Sequence, residues 1–134
     1  MGKHILIVED ELVSQSILKR MLEHIDSDVW VQCVSTAEEA YEALNEAEVI
    51  RQPFDFVIAD LYLPETNGLA LWQKVQKLYP AIDFLFISGT THRDWENRIY
   101  SLPVWPPFIR KPVTEESLKM FWQAYLSNEV TLSG

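Results

Sequence analysis

Short, almost wholly apolar runs alternate along this chain with longer stretches in which apolar residues recur every three or four positions. The runs are His4-Ile5-Leu6-Ile7-Val8, residues 29–34, residues 54–59, residues 83–87 and Phe108-Ile109-Arg110. Their continuous apolar character predicts strands buried on both faces, as strands in parallel sheets are. Between them, Leu18, Met21, Leu22 and Ile25 mark a helix over about 13–25. Ala37, Ala40, Tyr41, Leu44 and Ala47 mark a second, and Leu71, Trp72, Val75 and Leu78 a third. Regular alternation of strand and helix predicts βαβ units, with a parallel sheet covered on both faces.

Local signals place the ends of these elements. Thr36 and Glu39 have the spacing of a capping box, and Arg51-Gln52-Pro53 punctuates the return to the sheet. Residues 61–67 form an irregular loop containing Pro64, before Gly68 opens the third helix. Thr114 caps a final helix through about residue 127, with Leu118, Phe121, Trp122 and Tyr125 on one side. A further helix over 93–102 is carried by Trp95, Ile99 and Leu102, and the proline-rich stretch 103–107 breaks it early. The tail 128–134 is short and polar enough to fray.

With 134 residues there is room for one core and none for a second folded output domain. The net charge of −9 repels nucleic-acid phosphates and anionic headgroups, so neither nucleic acid nor membrane is an expected partner. No stretch approaches the roughly 20 apolar residues of a membrane span. The N-terminus lacks a secretory h-region, and Leu6 spoils a myristoylation pattern, so the expected location is cytoplasmic. Cys33 is the single cysteine and lies in an apolar run, where packing outweighs reactivity. His4, His24 and His92 have no metal-ligand spacing.

The residues able to do chemistry all follow strands. Glu9-Asp10 follows the first, Asp60 the third, Ser88 the fourth and Lys111 the fifth. Ligands bind at that carboxyl edge in open α/β sheets, so three carboxylates, a hydroxyl and an ammonium converge on one crevice. Two unit charges about 4 Å apart repel by about 1 kcal/mol in water and about 4 kcal/mol at an effective dielectric near 20. A cation relieves this, and an oxygen-only donor set suits Mg²⁺. One carboxylate then serves as nucleophile toward a phosphoryl group whose oxygens Lys111 and Ser88 hold.

This pattern resembles the receiver domain of bacterial response regulators, a family that includes the chemotaxis regulator. The resemblance rests on Glu9-Asp10, Asp60 with Pro64 and Gly68 in its loop, Ser88-Gly89, and Lys111-Pro112 preceded by Phe108, and it covers about residues 3–127. It implies a flavodoxin-like, doubly wound five-stranded parallel sheet of order 2-1-3-4-5 with helices on both faces. It implies that Asp60 accepts a phosphoryl group from a histidine kinase or phosphotransferase and that protein partners read the result. By the same resemblance Asp10 and Asp60 ligate Mg²⁺, Glu9 acts through water, and the backbone carbonyl of Tyr62 completes the protein ligands. Ser88 and Lys111 contact the phosphoryl group, and Ser88 movement is coupled to rotation of Phe108.

Several features are individual to this chain. Glu9 stands for the family's commoner Asp, Ser88 for Thr, and residues 90–107 lack the usual small Ala-Gly pattern. By the resemblance, Tyr62 and Thr90 lie where side chains flank the phosphoryl site in the family, and they are candidates for tuning hydrolysis. Trp105 and Phe108 are candidates for a partner surface or for packing. Taken singly, an Asp ending a strand is ordinarily a turn residue and Lys-Pro a solvated turn; the combination carries the reading. Two other functions compete: a scaffold indifferent to phosphorylation, and an aspartate-nucleophile phosphatase. The phosphatase requires a second acid two residues past the nucleophile, where Tyr62 stands.

Overall fold

Residues of successive strands divide between two cores according to the two-residue period of a strand. Ile5, Ile7, Phe56, Ile58, Leu85 and Ile87 pack on one side, and Leu6, Val8, Val57, Ala59, Phe84 and Phe86 on the other. The computed structural model describes residues 2–63, 67–89 and 106–133, apart from the side chains of Ser88 and of residues 128–133. In chain order the elements are β1 (His4–Val8), α1 (Leu12–Ile25), β2 (Trp30–Val34), α2 (Ala37–Val49), β3 (Phe56–Asp60), α3 (Gly68–Leu78), β4 (Asp83–Ser88), β5 (Phe108–Arg110) and α4 (Glu115–Ser133). The strands pair in parallel in the order β2-β1-β3-β4-β5, which is the expected topology.

Helices cover both faces. Leu18 and Leu22 of α1 and Leu118 and Trp122 of α4 close the first core. Ala40 and Leu44 of α2, with Leu71, Trp72 and Val75 of α3, close the second. The small Ala37, Ala40, Ala43 and Ala47 let α2 lie close to the sheet. Trp122 is 1% exposed, and its indole Nε1 donates to Asp26 Oδ2 at 3.0 Å, tying α4 to the end of α1.

Caps follow the local chemistry. The Thr36 hydroxyl accepts from Glu39 N at 3.1 Å, while Glu39 Oε1 accepts from Ser35 N at 2.9 Å. Asn67 Oδ1 accepts from Ala70 N at 2.8 Å, and Thr114 Oγ1 from Ser117 N at 3.1 Å. Arg51 ends α2 at φ 61°, and Gln52 N and Arg51 N donate to the Ala47 and Glu48 carbonyls in the pattern of a Schellman turn.

Four expectations need adjustment. The third strand begins at Phe56 rather than at 54, because Phe54 is spent on stacking with His4, centroids 3.9 Å apart. Asp60 lies within the ladder, opposite Ile87. Leu78 is exposed, because it ends α3 beyond an arc centred on Gly68, Leu71, Trp72 and Val75. The last helix runs to Ser133, so residues 128–133 continue it where a fraying tail was expected; no Gly or Pro interrupts them. The helix expected over 93–102 and the segment containing Trp105 lie outside the described residues.

Cys33 is half-buried in β2, and burial raises its thiol above the ordinary 9.0; Lys19 opposes this and Glu23 adds to it. The raised value means that folding favours the neutral thiol. That contribution to stability is present below the ordinary thiol value and is lost as pH rises through the folded one. Alkylation of Cys33 at neutral pH will accordingly be much slower in the folded chain than in denaturant; equal rates by mass spectrometry would contradict the packing role.

Gly68 is needed for a close approach. A Cβ there would lie 2.7 Å from the Asp60 carbonyl oxygen, 2.8 Å from Phe86 Cε1 and 2.9 Å from Leu61 Cα. Gly68→Ala ordinarily favours a helix by roughly 1 kcal/mol. Here two of the three obstacles are backbone, so the substitution will destabilise by about 1–3 kcal/mol in urea denaturation. A stabilised variant would show that the gap can open.

Candidate functional site

The strand order reverses between β1 and β3, since β1 connects outward to β2 while β3 begins the run toward β5. The segments leaving these two central strands therefore diverge and open a crevice at the carboxyl edge. Glu9 and Asp10 leave β1 into that crevice and Asp60 ends β3 there. One carboxylate oxygen from each of the three lies within 4.8 Å of the others. Lys111, just past β5, reaches the same space. Its Nζ is 2.6 Å from Asp60 Oδ2 and 3.7 Å from Glu9 Oε2.

Burial makes these charges matter. Glu9 is 1% exposed and Asp60 6%, whereas Asp10 faces solvent. Burial pushes the Glu9 carboxyl up to about 7; the Glu11 amide opposes this, Asp60 adds to it by charge and hydrogen bond, and Lys111 opposes it. For Lys111, partial burial acts downward, but the hydrogen bond and charge of Asp60, with the charges of Glu9 and Glu11, outweigh it and raise the ammonium above its ordinary value. One fixed ammonium is thus shared between two nearly dry carboxylates.

Backbone amides complete the arrangement. Tyr62 N donates to Asp60 Oδ1 at 2.8 Å and Glu11 N to Glu9 Oε1 at 3.1 Å, so both buried carboxylates are held at fixed angles. The turn after Asp60 is pinned where Leu61 N donates to the Ile87 carbonyl at 2.9 Å and Gly68 N to the Leu61 carbonyl at 2.7 Å. Tyr62 pairs with Asn67 across this loop and is 40% exposed.

Of the residues picked out in the sequence, Glu9, Asp10, Asp60 and Lys111 are brought together. Ser88 ends β4 opposite Arg110, with its side chain outside the described set, as are Pro64 and Thr90 entirely. Phe108 opens β5 opposite Phe86 and packs half-buried on the α2/α3 side. The Lys111–Pro112 peptide is cis. A groove of about 560 Å³ opens beside the acids, lined by Ser14, Ile17, Ile87, Lys111 and Val113.

One participant escapes the motif reading. Gln15 of α1 is only 9% exposed and donates from Nε2 to the Glu9 carbonyl at 2.6 Å, to the Val34 carbonyl at 3.1 Å and to Ser35 Oγ at 3.1 Å. Its signal in the sequence is positional: it precedes Leu18 and Leu22 by three and seven residues, on the buried stripe of α1.

All the donors among the three acids are oxygens, and the buried pair lacks a full complement of positive charge. That chemistry fits a hard divalent cation such as Mg²⁺.

Comparison with known proteins agrees with the fold. The family model described as response regulator receiver domain matches residues 5–121. The chain is 27% identical over 94% of its length to the putative two-component response regulator ARR21 of Arabidopsis thaliana, of which it spans 19%. It is 31% identical over 96% of its length to the aerobic respiration control protein ArcA of Escherichia coli, of which it spans 50%. A CheY-like receiver domain structure from Methanospirillum hungatei superposes with a TM-score of 0.78 at 26% identity, covering 98% of each chain. With the sheet order, the acid cluster and the lysine in place, this chain belongs to the response regulator receiver domain family of two-component systems.

Proposed function

We propose that residues 3–127 act as a phosphorylation-controlled binding switch in which Asp60 accepts a phosphoryl group from a histidine kinase or phosphotransferase. The observation that carries the reading is Asp60 at the end of β3, nearly buried, with Lys111 Nζ 2.6 Å from one carboxylate oxygen and Glu9 and Asp10 converging beside it. A carboxylate oxygen of Asp60 forms the new bond to phosphorus, and the bond from phosphorus to the donor atom breaks, the donor keeping the electron pair. The aspartate oxygen loses its charge as it becomes an acyl-phosphate oxygen. The Lys111 ammonium then has its strongest partners among the phosphoryl oxygens.

Mg²⁺ would be held by Asp10 and Asp60, by Glu9 through water and by the Tyr62 carbonyl, and when bound it supplies positive charge against the phosphoryl oxygens. Ser88 would add a hydroxyl contact, and its movement toward the phosphoryl group would leave room for Phe108 to turn inward. A switch from 1:99 to 99:1 requires about 5.5 kcal/mol of differential stabilisation, which new charge-assisted bonds to a phosphoryl group can provide. The output is then a changed affinity for a downstream protein, in a cytoplasmic setting, with no direct role for nucleic acid or membrane. Tyr62 at the second position past the nucleophile argues against the phosphatase alternative.

Incubation with acetyl phosphate and Mg²⁺ will add one phosphate by intact mass, and neither Asp60→Asn nor a chelated sample will gain it. Lys111→Ala will slow the gain on the order of a hundredfold, the usual cost of removing one oxyanion partner. No gain in the folded wild-type protein leaves the phosphorylation-independent scaffold as the surviving reading.

Tyr62, two residues past Asp60 and 40% exposed, is the first candidate for restricting approach of water to the acyl phosphate. Thr90 is the second candidate for such tuning. Tyr62→Asn will shorten the phosphoprotein lifetime severalfold after removal of donor; an unchanged decay rate would remove Tyr62 from that role.

A further inference from the structure

We infer that Gln15 is the positioning residue for the Glu9-Asp10 acid pair, setting the affinity of the crevice for Mg²⁺; the inference deepens the Mg²⁺-dependent reading above and rests on it.

The reasoning starts from the peptide that joins the two acids. It is planar, so an atom fixed at its carbonyl end also fixes the direction in which the Asp10 backbone leaves. Glu9 O is that atom, and Gln15 Nε2 donates to it at 2.6 Å, the shortest of the three bonds this amide makes. The Glu9 amide on the other side donates to the Val34 carbonyl at 3.0 Å. Gln15 donates to that same carbonyl at 3.1 Å. The end of β1 is therefore stitched to the end of β2 twice, once directly and once through Gln15.

The anchor is itself secured. Ser35 Oγ accepts from Gln15 Nε2 at 3.1 Å, and Ser35 N donates to Glu39 Oε1 at 2.9 Å within the cap of α2. The Gln15 side chain is thus caught between α1, β1, β2 and the start of α2, at 9% exposure. Asp10, by contrast, faces solvent, so its placement relies on the backbone that carries it. An exposed acid expected to ligate directly therefore takes its position from a buried amide five residues later in the chain. Residues that orient metal ligands in this indirect way commonly change metal affinity by about 10–100-fold when removed.

A solely structural glutamine would lower stability on removal and leave metal affinity alone. The test therefore uses Mg²⁺ itself, titrated calorimetrically into the full chain without phosphodonor, with thermal unfolding measured in parallel. Gln15→Met keeps the length and volume but cannot donate. It will weaken Mg²⁺ binding about tenfold. The Mg²⁺ concentration for half-maximal acetyl phosphate labelling will rise in proportion, with the rate at saturating Mg²⁺ within about twofold of wild type. Gln15→Asn, whose amide is one methylene too short to reach the Glu9 carbonyl, is the milder variant should the first not fold, and will weaken binding at least about threefold.

A folded Gln15→Met or Gln15→Asn protein with wild-type Mg²⁺ affinity overturns the inference and leaves the phosphoacceptor reading standing. Normal Mg²⁺ binding by wild type without phosphate gain, together with the weakened variant, overturns the phosphoacceptor reading and supports the role of Gln15. Absence of Mg²⁺ binding by wild type overturns the metal site and this inference with it.

Discussion

Two carboxylates from the two central strands share one ammonium almost out of contact with water, and the rest of the site is arranged around that confinement. Glu9 and Asp60 are 1% and 6% exposed, and Lys111 is within ion-pair distance of both. Removing charges from water is costly unless partners are supplied, and a single lysine is one charge short of neutralising the pair. Burial, more than the neighbouring Asp60 charge, pushes the Glu9 carboxyl up to about 7, and Lys111 offsets only part of that. The same shortage makes the crevice receptive to a further cation, because each positive charge brought in relieves a repulsion that the fold maintains.

The fold supplies the confinement through topology rather than through one strong bond. The reversal of strand order at β1 and β3 places the acids of one strand beside the acid of the other. The lysine comes from the far edge of the sheet, carried past β4 by β5, so the charge balance of the site depends on all the strands between β1 and β5. Gly68 belongs to the same economy of space, since α3 starts against the backbone of Asp60 and Leu61 with no room for a side chain. Packing around the site is thus continuous with the second core through Phe86, Leu61 and Phe108.

Much of this was legible in the amino-acid sequence. The parallel sheet could be read from apolar runs such as 4–8, because strands buried on both faces leave no polar alternation. Asp60, Glu9-Asp10 and Lys111 could be read from their positions after those runs. Gln15 could not be read as a participant, because a glutamine on a helix is ordinarily solvated and its acceptors lie at the carboxyl ends of β1 and β2. The ends of elements were legible where a side chain caps them, as at Thr36 and Thr114, and were misjudged at Phe54 and after 127, where packing and simple helix continuation decide.

By itself, then, the sequence determined the alternation of elements, the family to which the chain belongs and the residue types available for chemistry, since these follow from periodicity and from motifs contained in short stretches. Tertiary structure alone decided the quantities that depend on distance: which carboxylates are dry, that Lys111 lies nearer Asp60 than Glu9, and that Gln15 reaches the Glu9 carbonyl. Burial and electrostatic coupling are properties of groups far apart in the chain and close in space, and no local pattern encodes them.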